Sequence, residues 1–153
     1  KLKEKLSVVL VAGASHYEGL RKEFPSDTKN FQLHAFINNM PRLLGAADIV
    51  ITRAGATTIL ELAALAKPTI LVPNAALTGG HQLKNAAVYG DAQVALVLDE
   101  DEMIEDTSLL LNAVGFYLSD TKTTRAMAKR FGKFAKPHAA ADMAKLILTT
   151  LSK

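Results

Sequence analysis

Cysteine is absent from this 153-residue chain, which excludes disulfides and thiolate metal ligands. Tryptophan is also missing, and aromatic residues make up only 6%. That is too few rings for a module that stacks bases, so no nucleic-acid partner is expected. No apolar run approaches the roughly 18 residues a membrane-spanning helix needs. The opening residues, KLKEKL, form a charged amphipathic stretch rather than a signal peptide. A cytoplasmic protein is expected. His16, His34, His81 and His138 lie scattered without ligand spacing, so no metal or cofactor is expected either. Paired carboxylates and a Ser/His/Asp set are missing too, which speaks against a hydrolase.

What is present is the balance of an ordinary globular protein, 49% hydrophobic and 22% charged, in a length that fits one domain with a proper core. The net charge of +3 is spread thinly. Lys1, Lys3 and Lys5 alternate with Glu4, and Lys129, Arg130, Lys133 and Lys136 cluster near the end. That cluster reads either as a solvated helix face or as a surface for a membrane or a phosphate-bearing substrate.

Short apolar runs alternate with helical patterns. LSVVLVAG (6–13) reads as a strand buried on both faces, followed by a short helix at 16–24. FQLHAF (31–36) is a second strand, 39–47 a short helix, and DIVIT (48–52) a third strand. A helix at 56–66 stops at Lys67-Pro68, because the residue before proline is pushed out of the α region. TILVP (69–73) and QVALVL (93–98) are the last strands, with a helix at 81–90 between them. Helices at 101–117, 121–133 and 138–151 complete the chain. This alternation predicts an α/β fold, a Rossmann-like parallel sheet with helices on both faces. KLKEKL reads as the tail of a helix entering the first strand, as though the first strand-helix unit with its Gly-rich turn were missing and the chain were a fragment.

In open parallel sheets ligands bind at the carboxyl ends of strands, beside helix N-termini. There the third strand delivers Arg53, Ala54 and Gly55, then Ala56, Thr57 and Thr58. The small residues let a ligand approach unpaired amides at the positive end of the helix dipole, which suits a phosphate or diphosphate. Glu61 follows at the i+4 and i+3 positions from Thr57 and Thr58, where a carboxylate can accept both hydroxyls of a ribose. It can equally complement the helix N-terminus or join a capping box with Thr58, and the residues alone leave both readings open. GGHQLKNA (79–86) is the second candidate. Gln82 and Asn85 offer amides three residues apart, suited to a hydroxyl-rich ligand, or mark the solvated start of a helix.

Together these segments, ADIVITRAGATTILELAALAKPTILVP…HQLKNA, resemble the carboxyl-terminal, donor-binding domain of the MurG family of GT-B glycosyltransferases. That family transfers GlcNAc from UDP-GlcNAc to an undecaprenyl-linked muramyl pentapeptide at the cytoplasmic membrane face, giving lipid II. The resemblance covers residues 8–148, with a specific core over 48–86. It implies that Phe36 and Ile37 hold the uracil, and that Ala56, Thr57 and Thr58 contact the diphosphate. It further implies that Glu61 binds the ribose, and that His81, Gln82 and Asn85 face the GlcNAc hydroxyls. It also implies no metal, and an acceptor site and catalytic base in an amino-terminal domain outside this chain.

The chain departs from the family pattern in three places. Ala54 stands where serine or glycine is common, Ala66 where the helix usually ends in glycine, and His81 where some members carry glutamine. Two other readings stay open: a donor-binding subunit of a two-subunit lipid-linked GlcNAc-transferase, and a UDP-GlcNAc 2-epimerase-like domain.

Overall fold

Among the described residues, five short strands and eight α-helices follow one another nearly where the apolar pattern puts them. The computed structural model describes residues 6–74 and 78–151. The chain splits into two compact units, Lys1–Met40 and Pro41–Lys153.

The first unit is a single β-α-β turn. Strands β1 (Val8–Val11) and β2 (Phe31–His34) pair in parallel, with Val8 opposite Phe31, and helix α1 (Ala14–Glu23) connects them. Gly13 begins α1 at φ 78° and ψ 155°, a conformation that a Cβ would penalise. Arg21 is the hub of this unit. Its guanidinium donates to the Leu33 carbonyl at 2.8 Å and to Asp27 Oδ1 at 2.9 Å, while Asp27 accepts the Leu33 amide. That hydrogen bond from Arg21 holds the Asp27 carboxyl below its ordinary range. β1 corrects the expectation of a strand buried on both faces. With β2 as its one ladder partner, Val8 stays 48% exposed, and Val9 and Leu10 are also exposed.

In the second unit β3 (Val50–Thr52), β4 (Thr69–Leu71) and β5 (Leu96–Val97) form a parallel sheet in that order. Helix α2 (Met40–Ala46) leads in, α3 (Ala56–Ala64) crosses from β3 to β4, and α4 (His81–Asp91) crosses from β4 to β5. β4 is the central strand, and Thr69, Ile70 and Leu71 are fully buried. Helices α5 (Glu100–Glu105), α6 (Ser108–Ser119), α7 (Thr121–Phe131) and α8 (Ala139–Leu151) follow. Ile70 and Val72 pack with Ala113, Tyr117 and Met127 from α6 and α7. Each large apolar side chain buried this way contributes about 1.5–3 kcal/mol.

Each strand is shorter than its apolar run, β5 (Leu96–Val97) most of all, and three helix boundaries depart from expectation for identifiable reasons. The helix expected over 101–117 is two helices, because Asp106 turns extended and its carboxylate accepts the Ser108 amide at 2.9 Å, starting α6 anew. Helix α3 ends at Ala64 rather than 66. Ala66 takes φ 47°, and the Lys67 and Ala66 amides bond the carbonyls of Leu62 and Ala63. That is a Schellman motif built on alanine where glycine would be unstrained. Lys67 then turns its ammonium onto the Gly45 and Ala47 carbonyls at 2.6 and 2.7 Å, capping the end of α2. Finally, Phe131 closes α7, and residues Gly132–Phe134 continue as a 3-10 turn.

The basic residues Lys129, Arg130 and Lys133 are exposed, whereas Thr124, Met127, Ala128 and Phe131 of α7 are buried. Helix α8 has no buried residue and exposes Met143, Leu146, Ile147, Leu148 and Leu151. Among the described residues, no helix is long and apolar enough to cross a membrane.

Candidate nucleotide-sugar site

The carboxyl edge of the second unit's sheet gathers two glycine-started helices. Gly55 is the N-cap of α3, in extended conformation, and no side chain caps the helix. The amides of Ala56, Thr57 and Thr58 therefore open the helix without a side-chain partner. Ala56 and Thr57 are exposed and Thr58 half-buried. The buried face of the same helix is Ile59, Leu62 and Ala63, so the greasy part packs inward while the polar mouth faces out.

This cap position speaks against both structural readings of Glu61. With Gly55 as N-cap, Thr58 is the third helical residue and Glu61 the sixth, so the cap has no side chain to share in a capping box. Glu61 also lies beyond the first turn, where the helix dipole is felt most. Its carboxylate is exposed, in the second turn of the helix and about one turn from the open amides.

Helix α4 begins on two left-handed glycines, Gly79 at φ 79° and Gly80 at φ 61°, again without a side-chain cap. A Cβ on Gly79 would fall 2.9 Å from His81 Nε2, because the exposed imidazole folds back over that residue. Gln82 and Asn85 reach from α4 to the loops beside it. Gln82 Oε1 accepts the Asn74 amide at 2.9 Å after β4, and Asn85 Nδ2 donates to the Ala54 carbonyl at 3.0 Å after β3. Each amide thus spends one hydrogen bond on the rim itself.

Two residues of this rim carry interactions that sequence spacing did not signal. Arg53, immediately after β3, donates to the Val72 carbonyl at 3.4 Å and forms an ion pair with Glu100, the first residue of α5. That hydrogen bond holds the Glu100 carboxyl below its ordinary range and the guanidinium above its own. The partners lie 47 positions apart, so only the fold joins them.

The structure brings Ala56, Thr57, Thr58, Glu61, His81, Gln82 and Asn85 into one unit, around the ends of β3 and β4. Phe36 and Ile37 belong to the other unit, in the loop after β2, where Phe36 is 73% exposed and Ile37 half-buried.

The model of the glycosyltransferase family 28 C-terminal domain matches residues 1–146. The chain belongs to that family. A family 28 relative from Natranaerobius thermophilus is 31% identical over 147 residues, covering 93% of this chain and 40% of the relative. One from Bacillus subtilis is 34% identical over 138 residues, covering 89% and 38%. Both are named UDP-N-acetylglucosamine–N-acetylmuramyl-(pentapeptide) pyrophosphoryl-undecaprenol N-acetylglucosamine transferase. The chain therefore spans well under half the length of these relatives. Among solved structures, Acinetobacter baumannii MurG superposes with a TM-score of 0.77 at 26% identity, over 94% of this chain and 43% of that one. The glycosyltransferase VinC, solved with dTDP, shares the fold with a TM-score of 0.62 at 20% identity, over 84% of this chain and 29% of VinC. The α/β class expected from the strand-helix alternation is thus the observed one, and the match to MurG agrees with the GT-B half that the resemblance implied.

Proposed function

We propose that this family 28 domain is the UDP-GlcNAc-binding half of a MurG-type transferase, the enzyme that converts the undecaprenyl-linked muramyl pentapeptide of lipid I into lipid II. The observation that carries this reading is the uncapped mouth of α3, with exposed Glu61 one turn further on. It offers helix-start amides suited to an anion and, about one turn away, a carboxylate able to accept a diol. The names of the relatives point to the same donor.

In this reading the diphosphate lies on the amides of Ala56, Thr57 and Thr58, and the ribose on Glu61. The family resemblance assigns the uracil to Phe36 and Ile37 of the first unit, and GlcNAc faces His81, Gln82 and Asn85. An acceptor hydroxyl attacks the anomeric carbon while the bond from that carbon to the diphosphate oxygen breaks, so the sugar is transferred with inversion and UDP leaves. The α3 dipole and amides stabilise negative charge growing on the leaving diphosphate, and no metal is required for that step. The base that takes the acceptor's proton, and the acceptor site, lie in the amino-terminal domain of the full transferase. That enzyme works at the inner face of the cytoplasmic membrane, where its lipid-linked acceptor resides.

Calorimetric titration with UDP, UDP-GlcNAc and ADP tests the donor assignment. Binding of both uridine ligands with ADP at least about tenfold weaker is expected, since one discriminating hydrogen-bond set corresponds to about 1.4 kcal/mol or more. Equal affinity for ADP would overturn the assignment.

A further inference from the structure

The turn that would present the diphosphate amides is three residues long, from Arg53 to the N-cap Gly55. Two of those residues, Ala54 and Gly55, have no side chain able to hold a turn in place. All the anchoring comes from elsewhere. The Ala54 carbonyl is held by Asn85 of α4 at 3.0 Å, and Ala54 itself is fully buried. The Arg53 guanidinium is held by the Val72 carbonyl after β4 and by Glu100 at the start of α5. The turn is thus tied to three separate elements: the end of β4, α4 and α5.

We propose that Arg53, locked by Glu100, is a positioning residue that preorganises the α3 mouth for a nucleoside diphosphate. This rests on the reading of that mouth as the donor site. Amides that must meet a diphosphate bind it best when the turn carrying them is already ordered, because ordering it on binding costs affinity. The Arg53 side chain is 47% exposed and that of Glu100 27% exposed, so the pair lies at the surface rather than in the core. Glu100 stays ionised because the Arg53 hydrogen bond lowers its carboxyl. The guanidinium is committed to that carboxylate, which distinguishes a brace from a cation reserved for the ligand's own charge.

The variant that separates these roles is Glu100→Gln. If Arg53 acts directly on the ligand, removing its competitor leaves UDP binding unchanged or tighter. If Arg53 is a brace, UDP binding to the 153-residue chain weakens. Release of one ordered residue corresponds to a loss of about tenfold. Uridine, which lacks the diphosphate, should bind Glu100→Gln as it binds the wild type, a split that general destabilisation would not produce. Amide hydrogen exchange without ligand should quicken at Ala56, Thr57 and Thr58 while β4 remains protected. The double exchange Arg53→Glu with Glu100→Arg should recover part of the lost affinity. Unchanged or tighter UDP binding in Glu100→Gln, or parallel losses for UDP and uridine, would overturn the proposal and leave the donor-site reading standing. A wild-type chain that binds no UDP would remove both.

Discussion

The hydroxyl of Tyr117 joins α6 to two strands. It donates to the Thr69 carbonyl at 2.9 Å and accepts the Leu96 amide at 3.2 Å, in a residue only 2% exposed. Burial pushes its phenol above the ordinary range, so it stays a donor at all working pH values. Tyr117→Phe keeps the ring but leaves both main-chain groups unpaired. Thermal unfolding should show a loss of about 1–3 kcal/mol. An unchanged midpoint would mean that water or another group satisfies them. Glu61 is the opposite kind of residue: exposed, and outside the core that Ile59, Leu62 and Ala63 build from the same helix. Its replacement should cost binding and not stability.

At the level of elements, helix ends carry the information that apolar periodicity lacks. Ala66 holds a left-handed C′ position at φ 47°. Ala66→Gly removes that strain at the cost of a freer unfolded chain, and a net gain of about 0.5–1 kcal/mol is expected from denaturant unfolding. A loss would mean that the Ala66 methyl, near Gly132, contributes more by packing than it costs in strain. Asp120 caps α7 through the Thr123 amide at 2.9 Å, and that bond lowers its carboxyl. Asp106 is lowered too, by its bonds to Ser108. A depressed folded value means the stabilisation is complete above the unfolded carboxylate range, near pH 4, and fades as pH falls further. Helical circular dichroism should therefore drop on acidification below about pH 4. Asp120→Asn, which keeps a cap acceptor without a titrating group, should show a shallower acid loss. An identical acid curve would contradict the capping account. The strand and helix order was legible because each element carries its own period. The break at Asp106 was not, because a capping carboxylate inside an apolar pattern looks like any exposed acid. Glu61 drew notice by its spacing to Thr57 and Thr58, which left its role open, whereas the Arg53–Glu100 pair depends on tertiary contact across 47 positions.

At the level of the whole molecule, family membership rests on nearly the full length, and the rim around the ends of β3 and β4 lies in the second unit. The donor reading rests on α3 and α4 of the second unit. Its central claim is that Glu61 reads the ribose diol. The direct measurement is the Kd of UDP and of 2′-deoxy-UDP, by calorimetry, on the wild type and on Glu61→Ala. Hydrogen bonds to a charged group are each worth about 1.5–3 kcal/mol, so the wild type should prefer UDP by about tenfold or more. Glu61→Ala should weaken UDP and bring that preference close to unity, with an unaltered melting temperature. A wild type that binds both ligands equally, or a variant that keeps the full preference, would contradict the account.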